Sequence, residues 1–261
     1  MKIVTLGAAL LVWTAPAWAQ RPSDRDIAAL IERSREKALS YAQSLPDFVA
    51  SEVIRRYAGE SHHGFATRPA DTLVVQLRYF QHKEEHKLLL VNGQPTERSF
   101  ERMEGFVGSG EFGSTLDAIF DPASATSFRW QKWKTVRKQP AAVFTYAVDQ
   151  ARSPYRLESH VDGRVSAATV SYHGTVEVDT ESGEALHLEY VADHIPRNLH
   201  MDYVATSVDY DFADIGGQRY LLPSRSETEM RGPVEWTKNV MEFREYRKFS
   251  ADSVVDFGPP K

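Results

Sequence analysis

The chain contains no cysteine in its 261 residues. Disulfides, zinc–thiolate centres and cysteine nucleophiles are therefore excluded. Long hydrophobic runs are also absent. A helix that spans a bilayer takes about 20 apolar residues, and no stretch reaches that length, which predicts a soluble protein without a transmembrane segment. Positive charge is not in surplus: 31 Lys and Arg against 36 Asp and Glu leave a net charge of −5. Nucleic-acid binding runs mainly on Lys and Arg neutralising phosphates, so nucleic acid is not an expected partner. Internal repeats, low-complexity tracts and a clear linker are missing too.

What is present starts with an export signal. Lys2 precedes an apolar run from Ile3 to Val12, and Ala17-Trp18-Ala19 places small residues where a signal peptidase reads them. This predicts a signal peptide over 1–19 and a mature chain from Gln20, periplasmic or secreted. A bacterial lipid anchor would need a cysteine directly after that cleavage site, where Gln20 stands. Residues 20–261 are long enough to bury one sizeable core without disulfide staples. One domain is expected.

Periodicity sets the architecture. Ser23 resembles a helix cap, and Ile27, Leu30, Ile31, Ser34, Ala38 and Tyr41 recur at helical spacing, which predicts a helix over 24–43 that Leu45-Pro46 ends. The period then changes to two. Leu73, Val75, Leu77 and Tyr79 alternate with polar residues, and so do Phe144, Tyr146 and Val148, and Val204 to Phe212. Asn92-Gly93, Thr180-Glu181-Ser182-Gly183, Gly216-Gly217 and Arg231-Gly232-Pro233 read as turns. About eleven strands with short turns imply an antiparallel sheet. Residues 58–70 are expected to form a long mobile loop. A second helix is predicted over Glu111 to Phe120, with Phe112, Leu116, Ile119 and Phe120 on one side and Asp121-Pro122 as its stop.

The sequence holds several motifs, each with a structural alternative. Gly108-Ser109-Gly110-Glu111-Phe112-Gly113 fits G-x-G-x-x-G, but a dinucleotide site needs a parallel βαβ unit, and Glu111 would repel a pyrophosphate. His82-Lys83-Glu84-Glu85-His86 fits H-x-x-E-H, which makes His82 and His86 the weak metal candidates. That chemistry needs a helix, and here the residues are expected in a hairpin loop. Trp130 and Trp133, among Lys132, Lys134, Arg137 and Lys138, could dock an anionic surface; on a regular strand they face opposite ways unless a bulge intervenes. Glu177/Asp179, Asp209/Asp211 and Glu227/Glu229 read as solvated outer faces rather than glycosidase pairs, which come from separate elements. A G-x-S-x-G elbow is lacking, since Val107 stands where Ser109 would need glycine.

Two resemblances follow from these parts. The order of signal peptide, helix and strands, with the hairpin Tyr172 to Glu184, resembles the periplasmic lipoprotein-carrier superfamily of LolA, LolB and RseB type. That resemblance implies a strongly curved antiparallel sheet or half-barrel around an apolar cavity lidded by helices, and it carries over no ligand residue. Ser44-Leu45-Pro46-Asp47-Phe48, Val91-Asn92-Gly93, Gly110-Glu111-Phe112-Gly113 and Leu221-Leu222-Pro223 are similar to secreted proteins of acidobacterial type without an assigned activity.

The expected fold is mainly β (α+β), with the second helix covering the concave face. On the strand from Gln218, one alternation gives Tyr220, Leu222, Ser224, Ser226, Thr228 and Met230. Small residues among large ones there predict a hollow of a few hundred Å³. The expected ligand-binding set is Phe112, Leu116, Ile119, Phe120, Tyr220, Leu222 and Met230. The expected role is a non-enzymatic carrier of an apolar small molecule, lipid or lipoprotein, with transient membrane-surface contact and no cofactor. The alternatives are a cell-envelope hydrolase built from scattered carboxylates and histidines, and a protein-interaction module using exposed sheet edges.

Overall fold

The first helix is capped as its sequence predicts. In a computed structural model of the chain, which describes residues 21–60, 68–100, 103, 111–161 and 164–249, α1 runs over Asp24–Ser44. The Ser23 hydroxyl accepts from the Asp26 amide at 3.2 Å, and the backbone turns extended at Leu45. Leu30, Ser34, Ala38 and Tyr41 form its buried side. The predicted signal peptide lies outside the described residues, as do Gly108 and Gly110.

The strands follow in chain order. They are β1 (Phe48–Glu60), β2 (Arg68–Phe80), β3 (Lys83–Val91), β4 (Gln94–Pro95), β5 (Ser127–Val136) and β6 (Gln139–Val148). After them come β7 (Arg156–Val161), β8 (Arg164–Thr169), β9 (Ser171–Asp179) and β10 (Ala185–Asp193). The last three are β11 (Tyr203–Ile215), β12 (Gln218–Arg231) and β13 (Glu235–Lys248). A second helix, α2, occupies Ser114–Phe120.

Eleven strands form one open antiparallel sheet in the order β4-β3-β2-β1-β13-β12-β11-β10-β9-β6-β5, and β7 pairs with β8 apart from it. The first long strand therefore pairs with the last, in the middle of the sheet. Bulges interrupt the ladders in several places, among them Val49/Ser51, Arg56/Tyr57 and Trp130/Lys132. Each bulge bends its strand and sharpens the twist, which curls the sheet into a half-barrel without closing it.

Tight two-residue turns set the register. Gln81-His82, Asn92-Gly93, Arg137-Lys138 and Gly216-Gly217 all have positive φ at both positions, the geometry whose twist matches a hairpin. Non-glycine Arg137 is supported there by its guanidinium, which donates to the Tyr210 carbonyl. At the β9–β10 turn, Asp179 Oδ1 accepts from the amides of Glu181 and Ser182 at 2.9 and 2.7 Å. Arg33 donates to the carbonyls of Thr180 and Glu181, pinning α1 to this hairpin.

Three sequence expectations need correcting here. The expected loop over 58–70 is shorter at both ends, because β1 continues to Glu60 and β2 starts at Arg68; residues 61–67 lie outside the described set. His86 is not in a loop: Gln81 and His82 alone make the turn, so His86 is a strand residue of β3. The second helix starts at Ser114 rather than Glu111, since Gly113 at φ 121° leaves helical space.

The outer face is not a plain solvated surface either. Glu177, His187, Asp209, Arg225 and Glu242 stand opposite one another across β9, β10, β11, β12 and β13. Their signs alternate. Lys134 reaches Glu177 at 2.6 Å, His187 Nδ1 reaches Asp209 at 2.7 Å, and Arg55 reaches Glu242 at 2.5 Å. Burial disfavours the His187 imidazolium, but its hydrogen bonds to Asp209 and Glu189 outweigh this and raise its pKa. Glu177 and Asp179 are buried by their partners, contrary to the solvated reading.

Candidate binding site on the concave face

The concave face is lined by alternate residues of the central strands. Phe48, Ala50, Glu52 and Ile54 of β1 lie beside Tyr79, Leu77, Val75 and Leu73 of β2 in the ladder. All eight are buried. Phe48 is the hub of an aromatic cluster. Its ring stacks on Tyr79 at 5.1 Å and meets Tyr246 edge-on at 5.4 Å. Phe112, just before α2, packs against Phe48 at 5.5 Å, Tyr79 at 6.1 Å and Phe243 at 5.5 Å. A ring from the helical layer thus fills the space between β1, β2 and β13.

Helix α2 completes the cover with Leu116, Ile119 and Phe120, all buried. Gly113 allows the close approach to α1, where a Cβ would lie 3.0 Å from Tyr41 Cδ1 and 3.1 Å from Ala42 Cβ. A few polar contacts hold the ends of this segment. Tyr210 donates its hydroxyl to the Glu111 carbonyl at 3.1 Å, and Ser226 donates to Glu111 Oε1 at 3.1 Å. At the other end Arg35 Nε donates to the Phe120 carbonyl at 3.1 Å, a cation at a helix C-terminus.

Two carboxyl groups, Glu52 and Glu111, are sunk into this apolar layer, and a third, Glu84, is half-buried. Glu52 is buried on β1, and desolvation, with Glu111 and Glu84 adding like charge, pushes its pKa up to about 8. Glu84 on β3, opposite Tyr79, is pushed up to about 7 by burial and by Glu111. Glu111 is raised by burial, partly countered by its backbone and Ser226 hydrogen bonds. The Oε2 atom of Glu52 accepts no hydrogen bond, and His86 Nε2 stands 3.7 Å from it. His86 in turn stacks on Phe100 at 5.2 Å. Buried Tyr41, Tyr210 and Tyr246 have strongly raised phenol pKa values, chiefly through desolvation, so they stay neutral hydrogen-bond donors.

The expected ligand-binding residues separate into groups. Phe112, Leu116, Ile119, Phe120 and Leu222 join the main core cluster, and Tyr220 packs against it, partly buried. Met230 packs instead against a smaller cluster of Leu157, Val170, Ala192, Leu199, Met201 and Val204. The single alternation expected along β12 fails because Ser224 is an extra residue in the ladder. Leu221 and Pro223 oppose Phe212 and Tyr210, whereas Ser226 and Thr228 oppose Val208 and Thr206. Among the described residues the small side chains of β12 have partners of their own: Ser226 holds Glu111 and Thr228 meets Thr206 at 3.2 Å. The space between α1, α2, the β9–β10 turn and β12 is about 130 Å³, lined by Ser34, Tyr41, Leu116 and Leu221 among others. A wider depression of about 440 Å³ lies on the outer side, along Arg129, Thr145, His173, Thr175 and Glu189.

The remaining motifs have local explanations. His82 Nδ1 lies 3.1 Å from the Ala42 carbonyl and 3.5 Å from the Tyr79 hydroxyl, so it ties the β2–β3 turn to α1. Among the described residues no group of three or more His, Asp or Glu is arranged to hold a metal ion. Trp130 and Trp133 do meet, ring to ring at 5.9 Å, because the bulge between Trp130 and Lys132 shifts their alternation. Both pack partly buried on the core rather than outward. The buried acids were missed in the sequence. Glu52 does break the apolar alternation Phe48, Ala50, Ile54, and that is the signal that could have found it.

No protein-family model matches the chain, and no curated protein matches it. Among solved structures, a LolA superfamily protein from Nitrosomonas europaea aligns with a TM-score of 0.37 and 11% identity, covering 85% of this chain and 93% of that one. A DUF1329 family protein from Desulfovibrio piger gives 0.37 and 11%, covering 85% of this chain and 95% of the other. An outer membrane lipoprotein-sorting protein domain from Vibrio parahaemolyticus gives 0.36 and 11%, covering 85% and 93%. Among the described residues no helix is long and apolar enough to cross a membrane.

Proposed function

We propose that this chain is a periplasmic or secreted binding or carrier protein for an apolar ligand of the acyl-chain class. The ligand lies on the concave face in place of α2. One observation carries this reading: a helix of seven residues supplies Leu116, Ile119 and Phe120 to fill the half-barrel. So short a helix has little stability of its own and depends on that packing. An alkyl chain offers the same burial, about 0.8 kcal/mol for each CH₂, and can compete for the site. Gly113 and Asp121-Pro122 bound α2 at its two ends.

Titration with a fluorescent dodecyl-chain probe tests this. The wild-type protein is expected to bind it saturably. Ile119→Ala removes packing that holds α2 down. It is expected to cost about 3 kcal/mol of stability and to bind the probe several-fold more tightly. Absence of saturable binding by both proteins would refute the carrier reading.

A further inference from the structure

The buried acids bear on what the ligand carries at its polar end. The Glu52 side chain is 4% exposed, and its Oε2 accepts no hydrogen bond. The other charged groups acting on it, Glu84 and Glu111, are acids, and the basic atom at hand, His86 Nε2, is 3.7 Å away. A buried carboxylate without a close hydrogen-bonded cation is costly, and a cationic partner relieves that cost. The same place is walled by aromatic rings. Phe243 stands directly opposite Glu52 in the β1–β13 ladder, and Phe48 and Tyr79 lie four residues along on the same face. All three rings contact Phe112. When α2 leaves, Phe112 and Glu111 leave with it, while Glu52 and Glu84 stay on the sheet. The vacated ring position then lies among three aromatic faces, two of which stand opposite the sheet acids in the ladders: Phe243 opposite Glu52 and Tyr79 opposite Glu84. Aromatic faces attract cations, and an ammonium group among them is favoured further by desolvation.

We infer that the ligand of the concave face is an amphiphile with an ammonium head, received by Glu52 and Glu84 among the rings of Phe48, Tyr79 and Phe243. The inference rests on the carrier reading above. An ammonium head favours the ionised form of both acids, an anionic head opposes it, and a neutral hydroxyl brings no positive charge to either.

Calorimetric titration at about pH 7 with dodecylamine, dodecanol and dodecanoate, each below its micellar concentration, separates the two claims. Dodecylamine is expected to bind at least about tenfold more tightly than dodecanoate. Glu52→Gln, which keeps the shape of the side chain, is expected to weaken dodecylamine about tenfold and leave dodecanol unchanged. Glu84→Gln is expected to act in the same direction. If the three compounds bind equally, or dodecanoate binds best, the head-group inference is overturned and the carrier reading stands. Unchanged dodecylamine affinity in both variants also overturns it. If none of the three binds, the carrier reading itself fails.

Discussion

Glu52→Gln is expected to stabilise the free protein at about pH 8 by on the order of 3 kcal/mol. Burial lifts the Glu52 carboxyl from 4.5 to about 8, and Glu84 to about 7. A group whose folded pKa lies above its unfolded one contributes stability fully below the unfolded value, and that contribution is lost as pH rises through the folded value. As far as these acids are concerned, the wild type should therefore be most stable at and below about pH 4.5 and should weaken steadily towards about pH 8. The groups facing Glu52 do not reverse this: Glu84 and Glu111 repel it, Tyr246 is a neutral phenol raised by the same burial, and His86 Nε2, at 3.7 Å, is beyond hydrogen-bond distance. His187, on the outer face, has a raised value too and loses its contribution in the same direction. Urea unfolding at about pH 5, 6.5 and 8 measures the slope. The glutamine variant should show a flatter one and a gain that grows with pH. Parallel wild-type and variant curves would mean that Glu52 is not desolvated as described.

Gly174→Ala should cost more than a typical surface change by a wide margin. A Cβ on Gly174 would stand 1.8 Å from the Glu189 carbonyl oxygen, and that oxygen belongs to the backbone of the neighbouring strand. It cannot rotate away. Tyr146, directly opposite Gly174, donates its hydroxyl to the same oxygen at 2.9 Å, so the aromatic ring covers the gap that glycine leaves. Separating the strands would break that bond and the β9–β10 ladder together. The expected loss is on the order of 3 kcal/mol or more, or roughly 10 °C in thermal midpoint for a chain of this size. Gly217→Ala is the control. Its Cβ would meet nothing within 4 Å, and only its φ of 83° opposes the change, so about 1 kcal/mol is expected. Equal thermal midpoints for the two variants would contradict the close approach at Gly174.

Much of the fold was legible because its signals are local. Ser23 and Leu45-Pro46 bound α1, and two-residue turns such as Asn92-Gly93 and Gly216-Gly217 mark hairpins whose alternation is plain in the residues beside them. The pairing of β1 with β13 was not legible, because no local pattern encodes a contact between the two ends of a chain. Bulges caused the errors in side-chain direction. The extra residue at Ser224 separates Leu222 from Met230, and the shift after Trp130 brings it onto Trp133. Arg137-Lys138 makes a turn without glycine, held by the Tyr210 carbonyl from a strand far along the chain. The acids were hidden for a related reason. Glu84 and Glu111 look like ordinary polar residues near a turn and a helix start, and only tertiary packing brings their charges to bear on Glu52.

Hydrogen exchange of α2 with and without a dodecyl ligand tests the central claim most directly. The Asp117 amide bonds the Gly113 carbonyl at 2.8 Å, and the Asp121 amide bonds the Asp117 carbonyl at 2.7 Å. If the ligand replaces α2 on the concave face, saturating ligand will speed exchange at these amides while those of β11 keep their protection. Saturable binding that leaves the α2 amides as protected as before would contradict displacement and place the ligand elsewhere.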